Sequence, residues 1–544
     1  MTPFHHIWHP ASREDGSPSP RSSWTVQCQY RFQCRTGGLR AAAGAVARTA
    51  VRVVAMGAML LLSGCGDRSA DGENALMLYC AAGMKRPVEE AIREYQQQYG
   101  VRIDVQYGGS GTLLSSLQVA KRGDLYVAAD SSYIEKAREK GLVVEALPLA
   151  HLKPVVAVAR GNPARVATMQ DLMNSKLRVA LANPDAAAIG RITKKVADRL
   201  GVWDRLKANA KVFKPTVTDL VNDIVLGSVD AAIVWDATAN QYAEVDAIDL
   251  PSLSQEKWQV TIGVLASSKQ PTKSLRLARY LAARDRGLIR FQHHGFDVVE
   301  GDVWSEEPTV LVFSGSMLRA GAERTFREFE QREGVQIQRV YNGCGVLVSQ
   351  MRAGAQPQAY LSCDVKFMDM VGERFDEPVI LTENDIVIAV AKDNPKNIRT
   401  LQDFTRDDLR VGVCHPEKSA LGHLTSKMLQ KVAIDERVRE AAAVQSAAGD
   451  FLVSQIRAGG LDAVIVYRSN VLSHSANVDD HLDIVEIEDD SALAVQPWAI
   501  AKTSDNAQLL KRLLGDLVSR RSRERFEQVG FRWRLDDAQH AAAP

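Results

Sequence analysis

One ordered series of motifs occurs twice in this chain, first between residues 76 and 296 and again between residues 310 and 531. The matched motifs are YCAAGM and FSGSML, YGGSGTLLSSL and YNGCGVLVSQM, LRVALANPDAAAIG and LRVGVCHPEKSALG, VDAAIVW and LDAVIVY, and RFQHHGF and RFEQVGF. Because the offset between the copies stays almost constant over all of these blocks, chance similarity is excluded. A period of this length indicates a duplicated domain, since solenoid repeats are several-fold shorter.

Length and composition fit a globular protein of several domains. The chain has 544 residues, of which 46% are apolar and 24% are charged. It can therefore bury large cores in about two to four domains of ordinary size. The formal net charge of +1 argues against bulk electrostatic binding to nucleic acid or to an anionic membrane surface. We expect no nucleic-acid partner.

The N-terminal residues have the pattern of an export signal. Residues 1–65 begin with a Ser-, Pro-, Arg- and His-rich segment that we expect to be disordered, continue with the apolar stretch 53–62, and end in LSGC at Cys65. So short an apolar stretch is typical of a signal peptide, although a short anchoring or buried helix has the same pattern. The LSGC ending resembles a bacterial lipobox, which implies cleavage before Cys65 and lipidation of that cysteine. The mature protein would then lie in the periplasm or on the outer face of the cytoplasmic membrane, with residues 66–74 as a tether.

Each copy alternates short apolar strands with amphipathic helical patterns, and this alternation predicts parallel α/β layers. In the first copy a strand at 76–80 is followed by a helical pattern at 87–99 and a second strand at 101–105. The β-branched segments 149–160 and 385–392 lie in the middle of their copies. We expect each of them to cross between two lobes and to act as a hinge.

The copies and their flanking segments define the expected domains. A helical pattern closes each copy, at 275–291 and at 507–526, and the short acidic segment between the copies suggests that they are close neighbours. The predicted divisions are a leader with signal peptide at 1–65, a tether at 66–74, a first domain at 75–300, a linker at 301–308, a second domain at 309–535 and a disordered tail at 536–544.

No catalytic constellation is evident in the sequence, which has neither a P-loop nor a zinc-protease motif. It has instead small-residue turns that follow strands and open helices, at 81–83, 108–111 and 186–190. Helix N-termini present unpaired N–H groups and partial positive charge, so they hold anions without Lys or Arg. Glycine and serine are also ordinary turn residues. Three such turns in one unit, repeated in the second, favour anion binding.

These motifs together resemble the type II solute-binding proteins of ABC importers, and among them the molybdate- and tungstate-binding group. The likeness rests on YCAAGM, YGGSGTL, GDLYVAAD, NPDAAAIG, VTDLV and AAIVWDAT, and it is weaker in the second copy. It implies an α/β fold of two tandem bilobal domains, each lobe a mixed, mainly parallel sheet flanked by helices. It also implies an oxyanion ligand held between the lobes by neutral donors, a membrane permease and its ATPase as partners, and neither a cofactor nor a metal.

Carried over motif by motif, the resemblance assigns the binding positions of the first domain. The first family serine falls on Gly83, which can contribute only its backbone amide, whereas the second is retained as Ser110. The aromatic position, a tyrosine in many members, is Trp235, whose indole N–H can donate. Arg191, directly after Gly190, either adds a cation to the site or is a solvated first-turn residue, and we favour the second interpretation. The ligand-binding residues that the resemblance implies are Ala82, Gly83, Gly109, Ser110, Ile189, Gly190, Val217 and Trp235.

The second domain departs further from the family pattern. Its serine position is Cys344, a poor donor, while Tyr467 restores the tyrosine; the first serine position is Ser316 or Met317, depending on a one-residue gap. The cleft residues that the resemblance implies are Ser316, Cys344, Leu421, Gly449 and Tyr467. We expect this domain to bind a different anion, to bind weakly, or to be a structural partner.

The second domain also concentrates cysteines at strand ends and adjoining turns. Cys344, Cys363 and Cys414 all lie in this copy, with His415 next to the last, and the chain contains no CxxC pair. These residues suggest either a soft-metal or redox site or buried cysteines that act as small apolar residues. The sequence does not choose between the two interpretations.

The sequence thus predicts a lipid-anchored, extracytoplasmic substrate-binding protein of an ABC importer, and not an enzyme. It would bind molybdate or tungstate, mainly in the first domain. Two alternatives stay open: a binding protein for another oxyanion, a metal or a small organic acid, and a sensor or scaffold lipoprotein without a transport role.

Overall fold

The structure is a computed structural model that describes residues 75–473 and 482–535. The predicted signal peptide with Cys65, the tether at 66–74 and the tail at 536–544 lie outside the described residues. Within the described ranges, no helix is both long enough and apolar enough to cross a membrane.

Domain 1 begins with a lobe, here called lobe 1A, that contains a six-stranded mixed sheet. Its strands are β1 (Leu76–Ala81), β2 (Ile103–Gly108), β3 (Leu125–Ala128), β4 (Val143–Leu152), β10 (Trp258–Leu265) and β11 (Asp297–Val298). Its helices are α1 (Lys85–Tyr99), α2 (Ser110–Ala120), α3 (Ser131–Glu139), α9 (Pro271–Leu281) and α10 (Gly287–His293). The strand order is β11-β4-β10-β3-β1-β2, with β1 parallel to β2 and β3 and with β10 antiparallel to β3.

The second lobe of domain 1, lobe 1B, contains a five-stranded sheet. Its strands are β5 (Pro154–Ala159), β6 (Val179–Ala182), β7 (Ala210–Lys214), β8 (Ala231–Trp235) and β9 (Val245–Ile248), in the order β7-β6-β8-β5-β9. Its helices are α4 (Ala188–Arg199), α5 (Trp203–Asn209), α6 (Val217–Val225), α7 (Asp236–Ala239) and α8 (Pro251–Ser254). Only Lys153 separates β4 of lobe 1A from β5 of lobe 1B. The predicted crossing of segment 149–160 between two lobes is therefore confirmed.

Domain 2 repeats this plan with lobes 2A and 2B. Lobe 2A has strands β12 (Thr309–Gly315), β13 (Gln336–Asn342), β14 (Ala359–Leu361), β20 (Leu493–Ile500) and β21 (Arg532–Trp533), and helices α11 (Arg319–Glu333), α12 (Cys344–Arg352), α13 (Val365–Asp369), α18 (Ala507–Leu517) and α19 (Arg520–Gln528). Lobe 2B has strands β16 (Val411–Cys414), β17 (Val444–Ser446), β18 (Ala463–Tyr467) and β19 (Leu482–Glu486), and helices α14 (Ala420–Lys431), α15 (Asp435–Ala441), α16 (Gly449–Arg457) and α17 (Arg468–Leu472).

A single long strand joins the two lobes of domain 2. Strand β15 (Val379–Ala391) pairs with β20 of lobe 2A through its first half and with β18 of lobe 2B through its second half. The predicted crossing segment 385–392 overlaps this second half. Lobe closure in domain 2 therefore bends or twists one continuous strand. In domain 1 the corresponding segment is divided into two strands, one in each sheet.

Matching turns and matching cores confirm that the two domains repeat one another. Helices α1 and α11 each end at a glycine with φ of 64°, Gly100 and Gly334, a left-handed conformation that glycine adopts without steric cost. Buried apolar side chains form one cluster in domain 1 and a second cluster in domain 2. Each domain therefore has the core that an independent unit needs.

The closing helical pattern of each copy is interrupted, contrary to the sequence prediction of one helix. In domain 1, α9 ends at Leu281 and α10 begins at Gly287, where a β-carbon would lie 2.3 Å from the Leu281 carbonyl oxygen. In domain 2, Ser519 caps α19 by accepting a hydrogen bond from the N–H of Ser522 at 3.3 Å. Each copy therefore ends in two helices separated by a short break.

Lobes 1A and 2A contact each other through buried charges, so the two domains are close neighbours, as expected. The carboxylate of Glu333, which is fully buried, lies 3.0 Å from the guanidinium of Arg512 and 3.6 Å from that of Arg279 in domain 1. Arg332 pairs with Glu145 of domain 1 at 3.0 Å. These ion pairs join lobe 1A to lobe 2A.

Candidate functional site

Four helix starts converge on the cleft between lobes 1A and 1B. A 3₁₀ turn at Ala82–Met84 leads into α1, and helix α2 begins at Ser110, both in lobe 1A; helices α4 and α6 begin at Ala188 and Val217 in lobe 1B. Each start follows a strand, and the cleft lies at the carboxyl ends of these strands. Helix starts carry unpaired N–H groups and partial positive charge, so their convergence makes a site for an anion.

Ser110 is positioned to offer its hydroxyl proton to a ligand. Its side chain is 1% exposed, and its Oγ accepts a hydrogen bond from the N–H of Ala129 at 3.2 Å. The hydroxyl of Tyr126 donates to the Ser110 carbonyl oxygen at 2.7 Å. Because Oγ already acts as an acceptor, its own proton is directed to another group. Burial raises the pKa of Tyr126 well above its ordinary value, which keeps that hydroxyl protonated as a donor.

Gly83 leaves open the space between the two lobes on the other side of the cleft. A β-carbon at this position would lie 3.0 Å from Oγ1 of Thr238, 3.1 Å from Cγ1 of Val217 and 3.9 Å from Cδ1 of Trp235. Cδ1 is bonded to Nε1, so the donor edge of the indole faces the Gly83 side of the cleft. Thr238 lies beside Gly83 without lining the pocket, and the sequence prediction did not name it. Its hydroxyl is buried and has no hydrogen-bond partner among the described residues.

These contacts leave a pocket that is partly open to solvent. Its empty volume, with the open solvent at its mouth included, is about 240 Å³, and among the described residues that line it none carries a charge. The lining residues are Ala81, Ala82, Gly83, Met84, Gly108, Gly109, Ser110, Ala129, Ala187, Ala188, Ile189, Val217 and Trp235. Seven of the eight residues that the sequence pointed to, all but Gly190, are in this set.

Gly190 lies behind the cavity wall. A β-carbon there would lie 2.5 Å from the carbonyl oxygen of Ala182 and 2.6 Å from that of Asn183. Glycine at this position therefore lets α4 pack directly on the end of β6. Its contribution is to place the Ile189 backbone in the cavity wall.

Backbone contacts hold the two lobes together over the cavity. The N–H groups of Gly111 and Thr112 both donate to the carbonyl oxygen of Ala186, at 2.9 and 3.1 Å. A β-carbon on Gly109 would lie 2.3 Å from that same oxygen. The absence of a side chain at Gly109 and Gly111 is therefore what allows lobe 1A to approach lobe 1B so closely.

Arg191 forms an ion pair across the mouth of the cleft, which corrects its interpretation as a solvated residue. Its guanidinium, on α4 of lobe 1B, contacts the carboxylate of Asp130 and the hydroxyl of Ser132, both in lobe 1A. It also lies over the Tyr133 ring, 5.1 Å from the centroid. Burial lowers the pKa of Arg191 from its ordinary value. The Asp130–Arg191 pair thus latches the closed form.

Domain 2 has the same framework, and the structure resolves the register of its first turn. Strand β12 ends at Gly315 and the 3₁₀ turn is Ser316–Leu318, just as β1 ends at Ala81 before the turn Ala82–Met84. Met317 therefore occupies the position of Gly83, and Ser316 that of Ala82. The choice of Ser316 for the first serine position is corrected to Met317, since no gap separates the copies here.

A large residue and a small residue exchange places across the cleft of domain 2. Met317, which is 5% exposed, stands where domain 1 has Gly83, and Gly449 stands where domain 1 has Val217. A β-carbon on Gly449 would lie 2.4 Å from Oδ1 of Asn470 and 3.2 Å from Cδ2 of Leu421. Domain 2 thus has a buried thioether side chain at the position where domain 1 has no side chain.

The serine position of domain 2 holds a thiol in an equivalent hydrogen bond. The Sγ atom of Cys344 accepts from the N–H of Cys363 at 3.1 Å, as Oγ of Ser110 accepts from the N–H of Ala129. Tyr467 is buried at the end of β18, and its pKa is raised well above the ordinary value by burial and by its neighbours Cys363, Asp364, Cys344 and Cys414. Of the predicted cleft residues, Cys344 therefore lies near Tyr467, and Gly449 lies near Leu421.

The cysteines of domain 2 are not arranged as a metal site. In the two described ranges, no group of three or more His, Cys, Asp or Glu side chains has a metal-binding arrangement. Nδ1 of His415 instead accepts a hydrogen bond from the N–H of Glu417 at 3.2 Å. Cys344, Cys363 and Cys414 are buried and are not joined in disulfides.

Comparison with known proteins agrees with this geometry. The family described as bacterial extracellular solute-binding protein matches residues 76–297 and again residues 310–532. A putative binding protein of Haemophilus influenzae is 31% identical over 222 residues, which are 41% of this chain and 90% of that protein. The putative ABC transporter substrate-binding lipoprotein YvgL of Bacillus subtilis is 24% identical and is matched over 45% of this chain and 96% of its own length. The molybdate-binding protein ModA of Mycobacterium tuberculosis is 24% identical, over 42% of this chain and 90% of that protein.

Each of these relatives is therefore spanned almost completely by less than half of the chain. The family consists of proteins that bind solutes outside the cytoplasm and do not catalyse reactions. The chain belongs to the bacterial extracellular solute-binding proteins and carries two copies of the family domain in tandem.

Proposed function

We propose that this protein is the lipid-anchored substrate-binding component of an ABC importer and that it binds one tetrahedral oxyanion, molybdate or tungstate, in the cleft of domain 1. The observation that carries the proposal is the convergence of four helix starts and the Ser110 hydroxyl on one neutral cavity. The molybdate-binding protein among the relatives supports the choice of ligand.

The donors of the cavity suit a fully deprotonated anion. Backbone N–H groups, the Ser110 hydroxyl and the Trp235 indole N–H all donate hydrogen bonds. A protonated oxyanion such as hydrogen phosphate would need an acceptor for its own proton, and an unpaired buried donor costs about 1–3 kcal/mol. Molybdate and tungstate are dianions without such a proton. Selection against sulfate, a smaller dianion, would come from the size of the cavity.

The charge of the ligand is matched by dipoles rather than by a cation. Helix N-termini supply partial positive charge that needs no counter-ion when the cleft is empty. A lysine or arginine in the same place would hold smaller anions such as chloride and would repel the closing lobe when no ligand is bound. The neutral site therefore links closure to the arrival of the anion.

Closure of domain 1 is the signal that we expect a permease to recognise. Lobe 1A is fixed to domain 2 by the Arg279–Glu333 and Arg332–Glu145 pairs, so lobe 1B is the moving part. Domain 2 has Met317 and two thiols where domain 1 has its cavity. We propose that domain 2 does not bind the transported anion and serves as a support for domain 1.

Calorimetric titration of the full chain tests the ligand assignment. Molybdate, tungstate, sulfate and phosphate are compared at equal ionic strength, with the thermal unfolding midpoint as a second readout. We expect binding and stabilisation by molybdate and tungstate at one site per chain, and much weaker effects of sulfate and phosphate. If neither large oxyanion stabilises the protein, the ligand is another class of solute, or the protein is a sensor or scaffold.

The lipid anchor is tested separately, because Cys65 lies outside the described residues. Mass spectrometry of the mature protein from membranes should find Cys65 at the N-terminus with acyl chains. The Cys65→Ala variant should lose membrane attachment and keep oxyanion binding. Recovery of the wild-type protein with residues 1–64 still attached and no acyl mass would contradict the anchor without affecting the ligand assignment.

A further inference from the structure

Two thiols from different elements of lobe 2A meet in the cleft of domain 2. Cys344 is the first residue of α12, and Cys363 follows strand β14. The N–H of Cys363 donates to Sγ of Cys344 at 3.1 Å. A β-carbon built on Gly315 would lie 2.1 Å from Sγ of Cys363 and 3.2 Å from Sγ of Cys344. Both sulfur atoms therefore lie next to Gly315, on the side where a side chain would project.

Two residue differences between the domains make room for this pair of thiols. Domain 1 has Ala81 and Ala129 at the positions where domain 2 has Gly315 and Cys363. The methyl group of an alanine at position 315 would collide with the Cys363 sulfur, given the 2.1 Å separation. Glycine at this position is thus the replacement that lets the second thiol turn toward the first.

A hydrogen bond between the two thiols shifts their pKa values in opposite directions. Burial opposes ionisation of Cys344, but hydrogen bonds from the thiol and backbone N–H of Cys363 and from Tyr360 and Ser362 lower its pKa below the ordinary value. The hydrogen bond to Cys344, together with burial, raises the pKa of Cys363 well above the ordinary value. A thiol of lowered pKa beside a thiol of raised pKa is the arrangement of an attacking and a resolving cysteine.

The pair is covered by lobe 2B in the closed form. A β-carbon on Gly343, which precedes Cys344, would lie 2.3 Å from the carbonyl oxygen of Ala447 and 2.5 Å from that of Lys418, both in lobe 2B. Opening of the hinge strand β15 would separate these groups and expose the thiols. The family works outside the cytoplasm, where disulfides form and persist.

We propose that Cys344 and Cys363 are a redox-active pair that closes into an intramolecular disulfide in the cleft of domain 2. The co-reactant is a disulfide, either a small-molecule disulfide or that of a thiol oxidoreductase. The Cys344 thiolate attacks one sulfur of the incoming disulfide, forms a mixed disulfide and releases one thiolate. The Cys363 thiol then loses its proton, attacks Sγ of Cys344 and releases the second thiolate. Two protein thiols are oxidised and one disulfide is reduced to two thiols.

Cys414 is a neighbouring thiol that takes no part in the proposed disulfide. It lies at the end of β16 in lobe 2B, on the opposite side of the cleft. Burial raises its pKa to about 12, a shift that a hydrogen bond with Ser419 only partly offsets. It is therefore a protonated, packed thiol, and it provides the matched control.

The experiment equilibrates the full chain with oxidised and reduced glutathione at several ratios, followed by acid quenching, alkylation and tryptic digestion. Cleavage at Arg352 separates peptide 340–352, which contains Cys344, from peptide 353–366, which contains Cys363. We expect these two peptides to be recovered joined by a disulfide, with the loss of both free thiols, while Cys414 is recovered alkylated. Circular dichroism before quenching confirms that the chain is folded.

Variants that copy domain 1 serve as controls. Cys344→Ser and Cys363→Ala restore the domain 1 residues at these positions and should each abolish the linked species, whereas Cys414→Ala should keep it. Oxyanion binding to domain 1 is measured on the same samples, so its loss is recognised separately. Recovery of both peptides only in alkylated form at every glutathione ratio would overturn the proposal. So would a disulfide to Cys414, or a chain that stays reduced and binds one Cu(I) ion through the two thiols.

Discussion

Gly83 and Val217 face each other across the cleft of domain 1, so closely that a β-carbon on Gly83 would lie 3.1 Å from Cγ1 of Val217. The same two positions in domain 2 hold Met317 and Gly449. A side chain at position 83 would therefore have to enter the pocket or displace Val217. This pair of positions is one at which the clefts of the two domains differ most in side-chain size.

Gly83→Met should abolish oxyanion binding to domain 1, because the new side chain would enter the pocket beside Val217. Overpacking against Val217 should cost about 1–3 kcal/mol of unfolding free energy. Adding Val217→Gly should restore most of that stability without restoring binding. Gly372→Ala is the control, since nothing lies within 4 Å of a β-carbon there. Calorimetry and urea unfolding give the two readouts; wild-type affinity in the Gly83→Met variant would contradict the assignment.

Ser110→Ala should weaken oxyanion binding by about 10- to 100-fold, because a hydrogen bond to a charged group contributes about 1.5–3 kcal/mol. The Kd is measured by isothermal titration. Ser116→Ala is the matched control on the same helix, since its exposed hydroxyl only donates to the Thr112 carbonyl oxygen at 3.0 Å. If Ser110→Ala binds as the wild-type protein does, the ligand does not contact this hydroxyl.

Arg191→Met should speed ligand release, because the variant loses the latch to Asp130 and leaves a carboxylate that is 2% exposed without its partner. Truncation of one partner of a buried charge pair typically costs about 2–5 kcal/mol and acts mainly on the dissociation rate. We expect the dissociation rate measured by stopped flow to rise about tenfold or more. Lys194→Met, which removes an exposed ion pair on the same helix, should leave the rate nearly unchanged.

Acidification should lower the unfolding free energy of domain 2, because His423 becomes protonated. This residue takes the place of Arg191 and lies beside Lys366, whose Nζ is 2.8 Å from its Nε2. Burial first, and then the charges of Lys366 and Lys427, lower its pKa; its ring also contacts Phe367. The unfolded chain therefore binds the proton more readily than the folded one. Stability is fully present above the ordinary histidine pKa of about 6.5 and falls as pH drops toward the lowered value.

Urea unfolding at pH 7.5 and 5.5 provides the measurement for His423. The wild-type protein should lose more stability between these values than His423→Gln, and the difference between the two isolates His423 from the other groups that titrate. An equal loss in both proteins would show that protonation of His423 does not oppose the folded state.

Glu333→Gln should destabilise the chain by about 3–5 kcal/mol, because Arg279 and Arg512 would be left buried without their shared carboxylate. Equilibrium unfolding by urea measures the loss. Glu328→Gln is the control on the same helix: its carboxylate is 43% exposed in its pairs with Arg324 and Arg525, and such surface pairs contribute about 0–1 kcal/mol. Similar losses in the two variants would contradict a buried network that joins the domains.

The repeat and the turn chemistry made most of the fold and most of the domain 1 cavity predictable. Strand-to-helix turns at Gly83, Gly109 and Ser110 are local features, and the resemblance supplied the lobe 1B positions. The Arg191 latch could not be found in the same way, because its partner Asp130 comes from the other lobe. Thr238 was missed because its relevance depends on its distance from Gly83.

The sequence allowed either Ser316 or Met317 to occupy the position of Gly83 in domain 2. The structure shows that Met317 occupies it. The approach of Cys363 to Cys344 depends on the missing methyl group at Gly315, which is on a third segment of the chain. Packing that depends on three separate segments of the chain leaves no periodic pattern in the sequence. The signal that could have found them is the paired exchange of large and small residues between the copies.

The stoichiometry of molybdate binding to the full chain decides whether domain 1 alone holds the oxyanion. Isothermal titration of wild-type protein, Gly83→Met and Cys344→Ser should give one site, no site and one site per chain, respectively. Two sites in the wild-type protein would show that domain 2 also binds the oxyanion, and a site that survives Gly83→Met would show that the anion does not occupy the pocket beside Gly83. Either result would contradict a single site in domain 1.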